Sequence, residues 1–154
     1  MKNVETNALF IFDANFFIAL REIHAKRPFA KLSSARKQLE VEFFISDRVF
    51  NEVPFIVGAT YNNFKKAIKV EAIKDNELNQ IKKDLKSQSV RLFAQDPDLT
   101  LIALGKKLKS DLNTIYVVTD DFKLNENIQQ INYRIQCLTL PTFLQLLSSN
   151  LDGK

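Results

Sequence analysis

A chain of 154 residues, 45% hydrophobic and 26% charged with 13 phenylalanines, carries enough apolar mass for one core, so a single domain over 1–154 is expected and intrinsic disorder or a fibrous repeat is excluded. One cysteine, Cys137, and one histidine, His24, exclude an internal disulfide and a Cys/His zinc site, and three glycines leave no P-loop or GxGxxG phosphate cradle. The net charge of +4 points only weakly to an anionic partner.

The first apolar run, ALFIF before Asp13, is too short and too soon followed by an acid to serve as a signal peptide or membrane span, which predicts a cytoplasmic protein with no membrane partner. LFIFD at 9–13 reads instead as a strand buried on both faces that ends on a carboxylate. Phe16, Phe17, Leu20 and Ile23 then recur at helical spacing, so a helix is expected over 15–25. After the break at Pro28, Ser33 and Ser34 are expected to cap a basic helix, and EFFIS at 42–46 reads as the second buried strand. Ser46 or Asp47 caps a short helix bearing Val49, Phe50 and Val53 inward and Glu52 near its end, with Pro54 limiting it.

The alternation in FKKAIKVEAI at 64–73 predicts an edge strand, and ELNQIKKDLKSQSVRLF at 77–93 an amphipathic helix. Asp96 followed by Pro97 marks a helix start, with Asp96 as cap and Pro97 at the first helical position, leading into Leu99, Ile102 and Ala103 on the core side. TIYVV at 114–118 is the third buried strand and runs into Thr119, Asp120 and Asp121. A helix over 123–131, a strand over 133–140 and a terminal helix from Pro141 complete an alternating pattern. The fold class expected is α/β, with a central mostly parallel sheet flanked by helices on both faces.

In open α/β sheets ligands bind beyond the carboxyl ends of the strands. Asp13 and Asp121 lie at such ends, the helix after the second strand would bring Glu52, and the first turn of the helix before the third would bring Asp98. Carboxylates gathered this closely repel one another unless cations neutralise them, and an all-oxygen set selects hard ions, Mg²⁺ or Mn²⁺. Asp120 and Asp121 are neighbours, so only one points inward easily; Asp121 is favoured and Asp120 is an accessory ligand or a solvent-facing acid.

These four stretches, IFDANFFI, ISDRVFNEV, DPDLTLIALGKKL and YVVTDDFKL, occur in this order over nearly the whole chain and resemble those of PIN-domain endoribonucleases. The last two are most similar to the Nob-type ribosome-maturation nucleases, from which the chain differs in lacking the cysteines of a zinc ribbon and in carrying Gly105 where Ala is usual. The resemblance implies a PIN-like three-layer sandwich, with Asp13, Glu52, Asp98 and Asp121 as metal-binding acids and Asn15 and Thr119 as polar supports of the strand ends. It implies metal-assisted hydrolysis of RNA phosphodiesters, either in ribosomal RNA processing on pre-ribosomal particles or as a VapC-like toxin held by a small antitoxin, and formation of a homodimer. A non-catalytic RNA-binding or ribosome-assembly module on the same fold is the alternative.

Basic residues fall in two stretches, Arg21 to Arg48 and Lys65 to Arg91. If they flank the acids, Lys26, Arg27, Arg36, Lys37, Lys65 and Lys66 would hold RNA phosphates, giving a salt slope of about −4 at roughly −0.7 per contact. His24 reads as a surface residue and Cys137 as a core residue; neither belongs to the expected site.

Overall fold

The computed structural model describes residues 7–23, 28–54, 56 and 58–152. In chain order the elements are β1 (Ala8–Phe12), α1 (Ala14–Ile23), α2 (Pro28–Leu39), β2 (Glu42–Ser46), α3 (Asp47–Phe50), α4 (Ala59–Ala67) and β3 (Lys69–Glu71). They continue with α5 (Asp75–Ser87), α6 (Asp96–Leu108), β4 (Thr114–Val118), α7 (Phe122–Ile131), β5 (Ile135–Leu138) and α8 (Leu140–Asp152). The sheet order is β3-β2-β1-β4-β5 and every pairing is parallel. This is the α/β three-layer architecture that the continuous apolar strands announce, since a parallel sheet must be covered on both faces.

The register sorts the two faces. Phe10 stands beside Phe43 of β2 and Tyr116 of β4, while Leu9 and Ile11 pair with Ile115 and Val117 and so face the other way. On the first face the rings interlock. Phe12 stacks on Phe16 of α1 at 4.2 Å between centroids, and Phe143 of α8 lies 5.2 Å from both Phe10 and Phe12. Phe17, Phe29 and Phe64 extend this cluster to α2 and α4 at 5.3–6.2 Å. On the second face α6 is buried along Leu99 to Gly105, and a Cβ at Gly105 would stand 2.7 Å from Ile135 Cδ1. The glycine lets that helix approach β4 and β5 without displacing the Ile135 side chain.

Several boundaries differ from the sequence expectations. Residues 59–67 form α4, not the start of an edge strand, because Phe64 and Ala67 lie one turn apart on a buried face; the strand is confined to Lys69–Glu71. Helix α2 starts at Pro28 and not at Ser33 or Ser34, since Phe29, Leu32, Ala35 and Leu39 form one buried stripe and Pro suits a first helical turn. Helix α5 stops at Ser87, short of Phe93, and α6 is entered one residue early, with Gln95 at the cap and Asp96 already helical. Among the described residues no helix is long and apolar enough to cross a membrane.

Candidate active site

The site is built where the parallel strands end. Asp13 follows Phe12, and its N–H donates to Val118 O at 3.3 Å, prolonging the β1–β4 ladder by one rung. Its side chain therefore turns to the face that Leu9 and Ile11 share, beneath α6, and it is only 3% exposed. Carboxylate Oδ1 accepts from the Asn15 backbone N–H at 2.9 Å and Oδ2 from the Thr119 hydroxyl. Burial pushes the Asp13 pKa up and the charge of Asp121 adds to it, against the lowering pull of the bonds from Thr119, Asn15 and Phe16.

Thr119 sits one residue beyond β4 and has the same parity as Ile115 and Val117, so its hydroxyl reaches Asp13 on that face. The Thr119 Oγ1 in turn accepts from the Asp121 N–H at 3.0 Å. Asp121 is the N-cap of α7; its Oδ1 accepts from Lys123 N–H at 2.9 Å and Leu124 N–H at 3.1 Å. Thr119 is thus the support the sequence suggests, whereas Asn15 supports Asp13 through its main chain and its own side chain is exposed.

Asp98 lies in the first turn of α6, partly buried. Its pKa is pushed up to about 7, first by burial, then by the charges of Asp13, Asp121 and Glu52 and by a hydrogen bond with the Asp121 carboxyl. A bond between two carboxyls requires that one keep its proton, which is how like charges share a small volume without a cation. Glu52 stands just past the single turn of α3, exposed, with its N–H donating to Val49 O at 2.9 Å. The cap of α3 is Ser46, whose Oγ accepts from Val49 N–H at 3.2 Å. Asp13, Asp121 and Glu52, from the ends of β1 and β4 and the β2–α3 connection, therefore all act on Asp98 of α6.

Ser46 is one of the two caps the sequence offers, but its link to Thr100 was not anticipated. Ser46 and Thr100 are fully buried, and their hydroxyls lie 2.7 Å apart, while Thr100 also donates to Pro97 O. Since Thr100 has one proton, Ser46 donates to it, and the chain from Val49 N–H through both hydroxyls to Pro97 O pins the Glu52-bearing turn to the Asp98-bearing helix. A serine closing the apolar run EFFIS was the one sequence hint.

Asp120 has the opposite parity and leaves the cluster. Its Oδ1 accepts from Leu140 N–H at 2.9 Å and so caps α8 on the phenylalanine-rich side of the sheet. The basic residues also differ from the expectation. Arg36, Lys65, Lys66 and Lys69 line one small hollow with Glu42, and Glu42 and Lys69 are the first residues of β2 and β3. That is the amino end of the sheet, about 13 Å from the acids along β2 at roughly 3.3 Å per residue. Lys37 is exposed in the last turn of α2, where Arg36 also lies; Lys26, Arg27 and His24 fall outside the described residues. Lysines and arginines at helix carboxyl ends complement the helix dipole there. Cys137 is half-buried on β5, and burial pushes its thiol up to about 11, which removes it as a nucleophile.

The donor chemistry fits Mg²⁺ or Mn²⁺: four carboxylates, an all-oxygen set, and repulsion at Asp98 that a divalent cation would relieve. Among the described residues, however, no three His, Cys, Asp or Glu side chains already surround a common cation position. Both findings hold together, because Coulomb repulsion acts over several ångströms whereas ligand oxygens must come within about 2.1 Å. Side-chain rotation would have to close the set.

No protein-family model matches the sequence, and no curated protein matches it. The chain is similar to a solved structure of VapBC2 from Rickettsia felis bound to a DNA fragment from their promoter, with a TM-score of 0.54 and 12% identity over 85% of this chain and 98% of that one. At that identity the likeness shows the fold, which is PIN-like, and nothing in it supports the Nob-type subgroup.

Proposed function

We propose that this protein is a metal-dependent endoribonuclease in which Asp13, Glu52, Asp98 and Asp121 hold Mg²⁺ or Mn²⁺ at the carboxyl ends of the strands. The observation that carries the reading is the convergence of Asp13, Asp121 and Glu52 on Asp98, whose pKa burial first and then the charges of those three acids push up to about 7, an arrangement that costs stability unless a cation joins it. Of the two roles the sequence resemblance implied, the VapBC2 likeness favours a VapC-like toxin with a small antitoxin partner over ribosomal RNA processing.

Bound at these acids, the metal supplies a water of lowered pKa and a counter-charge for the departing oxygen. The chain's own residues position it. Asp13 is buried and held by two donors, so its carboxylate is the fixed reference of the set. Thr119 couples that carboxylate to the cap of α7, so that Asp121 and Asp13 keep their spacing. Asp98 must give up its proton to become a ligand, so metal binding and proton release are coupled at this residue. Asp120 takes no part in this reading, being committed to α8. Arg36, Lys37, Lys65 and Lys66 contact the backbone only of an RNA long enough to reach the amino end of the sheet, and those four contacts would give a salt slope of about −3.

Incubation of single-stranded and structured RNA with the protein and Mn²⁺, beside Asp13→Asn, tests the proposal. Cleavage that needs the metal and disappears in the variant is expected. Cleavage indifferent to either refutes the mechanism, and salt-sensitive RNA binding without cleavage would instead assign a binding module.

A further inference from the structure

Of the twelve phenylalanines among the described residues, one is on display. Phe122 is 74% exposed, whereas the other phenylalanines among the described residues are buried or half-buried in the core. It is the first residue of α7, directly after Asp121, the acid that caps this helix and hydrogen-bonds Asp98. The cap bonds from Lys123 and Leu124 and the complete burial of Leu124 fix this turn, and Phe122, two residues before Leu124 on a helix, is carried on the opposite side, outward. A ring with two side-chain torsions on a locked turn is an inexpensive platform, because little freedom remains to be lost when something settles on it.

Its surroundings argue for a small flat occupant. The chain neighbours are Asp120, Asp121 and Lys123; of the other exposed large apolar residues among those described, Ile18, Tyr61 and Val70 lie on α1, α4 and β3, Leu112 in the turn before β4, and Leu92 in the loop that Asn127 holds, five residues along α7 from Phe122. A protein partner would bury a continuous apolar patch, which α7 does not offer. An aromatic face beside a site for a phosphate is instead the arrangement that takes an unpaired nucleobase, since every base has a π-face and a duplex keeps its own bases stacked.

We propose that Phe122 stacks on an unpaired nucleobase adjacent to the phosphate held at the acids, which makes the substrate class single-stranded RNA or a loop, bulge or end. This rests on the nuclease reading of the same site and names its substrate. Phe122 is then a positioning residue: it touches the substrate's base, not the reacting atoms.

The test uses RNA octamers carrying 2-aminopurine at each position in turn, titrated with Asp13→Asn protein and with the same protein carrying Phe122→Ala or Phe122→Tyr. At one position the probe's fluorescence should be quenched on binding; Phe122→Ala should abolish the quenching and weaken binding about 5- to 100-fold, and Phe122→Tyr should restore both. With otherwise unaltered protein, an abasic nucleotide at that position should slow cleavage, and Phe122→Ala should cause no further loss on that RNA. Equal affinity and equal quenching with Phe122→Ala overturn the stacking proposal, as does an effect of Phe122→Ala confined to self-association in sedimentation velocity. Persistent cleavage by Asp13→Asn overturns the nuclease reading instead, so the two failures are told apart. Phe122 is exposed, so unchanged melting of Phe122→Ala is the check that the fold is intact.

Discussion

Replacing Asp98 with Asn removes one of four mutually repelling carboxyls while keeping its size, so the metal-free protein should become more stable, and only where Asp98 would have been charged. The sign follows from linkage. Asp98 has its pKa raised from 3.8 to about 7, so the folded chain keeps a proton that the unfolded chain has already released, and stability falls as pH rises across that window. Full burial would convert the rise to about 4 kcal/mol at 1.36 kcal/mol per pH unit. Asp98 is only partly buried, and solvent screening reduces this to about 1 to 2 kcal/mol. An acid in the first turn of α6 also gains about 0.3 to 1 kcal/mol from the helix dipole, which Asn forfeits, leaving a net gain near 1 kcal/mol. For a chain of this length that is about 2 to 4 °C in Tm. Thermal unfolding followed by circular dichroism in EDTA should show Asp98→Asn melting higher than the parent at pH 8 and equal to it only near pH 3, below the unfolded value of 3.8. Added Mn²⁺ should raise the parent's Tm and leave the variant's nearly unmoved. A variant that melts lower at pH 8, or shifts equally at both pH values, or responds to Mn²⁺ as the parent does, would show that these carboxyls do not form one electrostatic unit.

Thr119→Val keeps the shape but strips Asp13 Oδ2 of its donor and the Asp121 N–H of its acceptor. It should cost about 1 to 3 kcal/mol of stability and weaken Mn²⁺ binding about 10- to 100-fold by titration calorimetry; unchanged metal affinity would mean Thr119 only orders the turn. Phe143→Ala empties a position where rings of β1, β2 and α1 converge, and about 3 to 5 kcal/mol should be lost, read as a Tm fall of roughly 10 °C with the acids untouched. A fall of less than 2 °C would mean that the phenylalanine face is less tightly packed than these ring contacts imply.

The sequence alone determined the sheet and the end of it at which the acids gather. LFIF, EFFIS and TIYVV are apolar without alternation, which only a strand buried on both faces tolerates, and each runs straight into polar residues, so the place where Asp13 and Asp121 gather was readable as the place where hydrophobicity stops. Helix α4 was not readable in the same way: FKKAIKV satisfies a period of two as well as a single turn, and packing of Phe64 and Ala67 against the core resolved its first four residues as helix, leaving Lys69 and Val70 to β3. Tertiary structure alone decided which acids meet. Asp120 and Asp121 are adjacent in sequence, yet strand parity sends one to cap α8 and leaves the other facing Asp98. It likewise carried Arg36, Lys65 and Lys66 to the far end of the sheet, because a helix that follows one parallel strand and leads to the next must return its carboxyl end, and its last-turn cations, to where strands begin. Spacing along a chain fixes the face a residue takes within its own element; which end of the sheet it reaches depends on the direction in which that element runs.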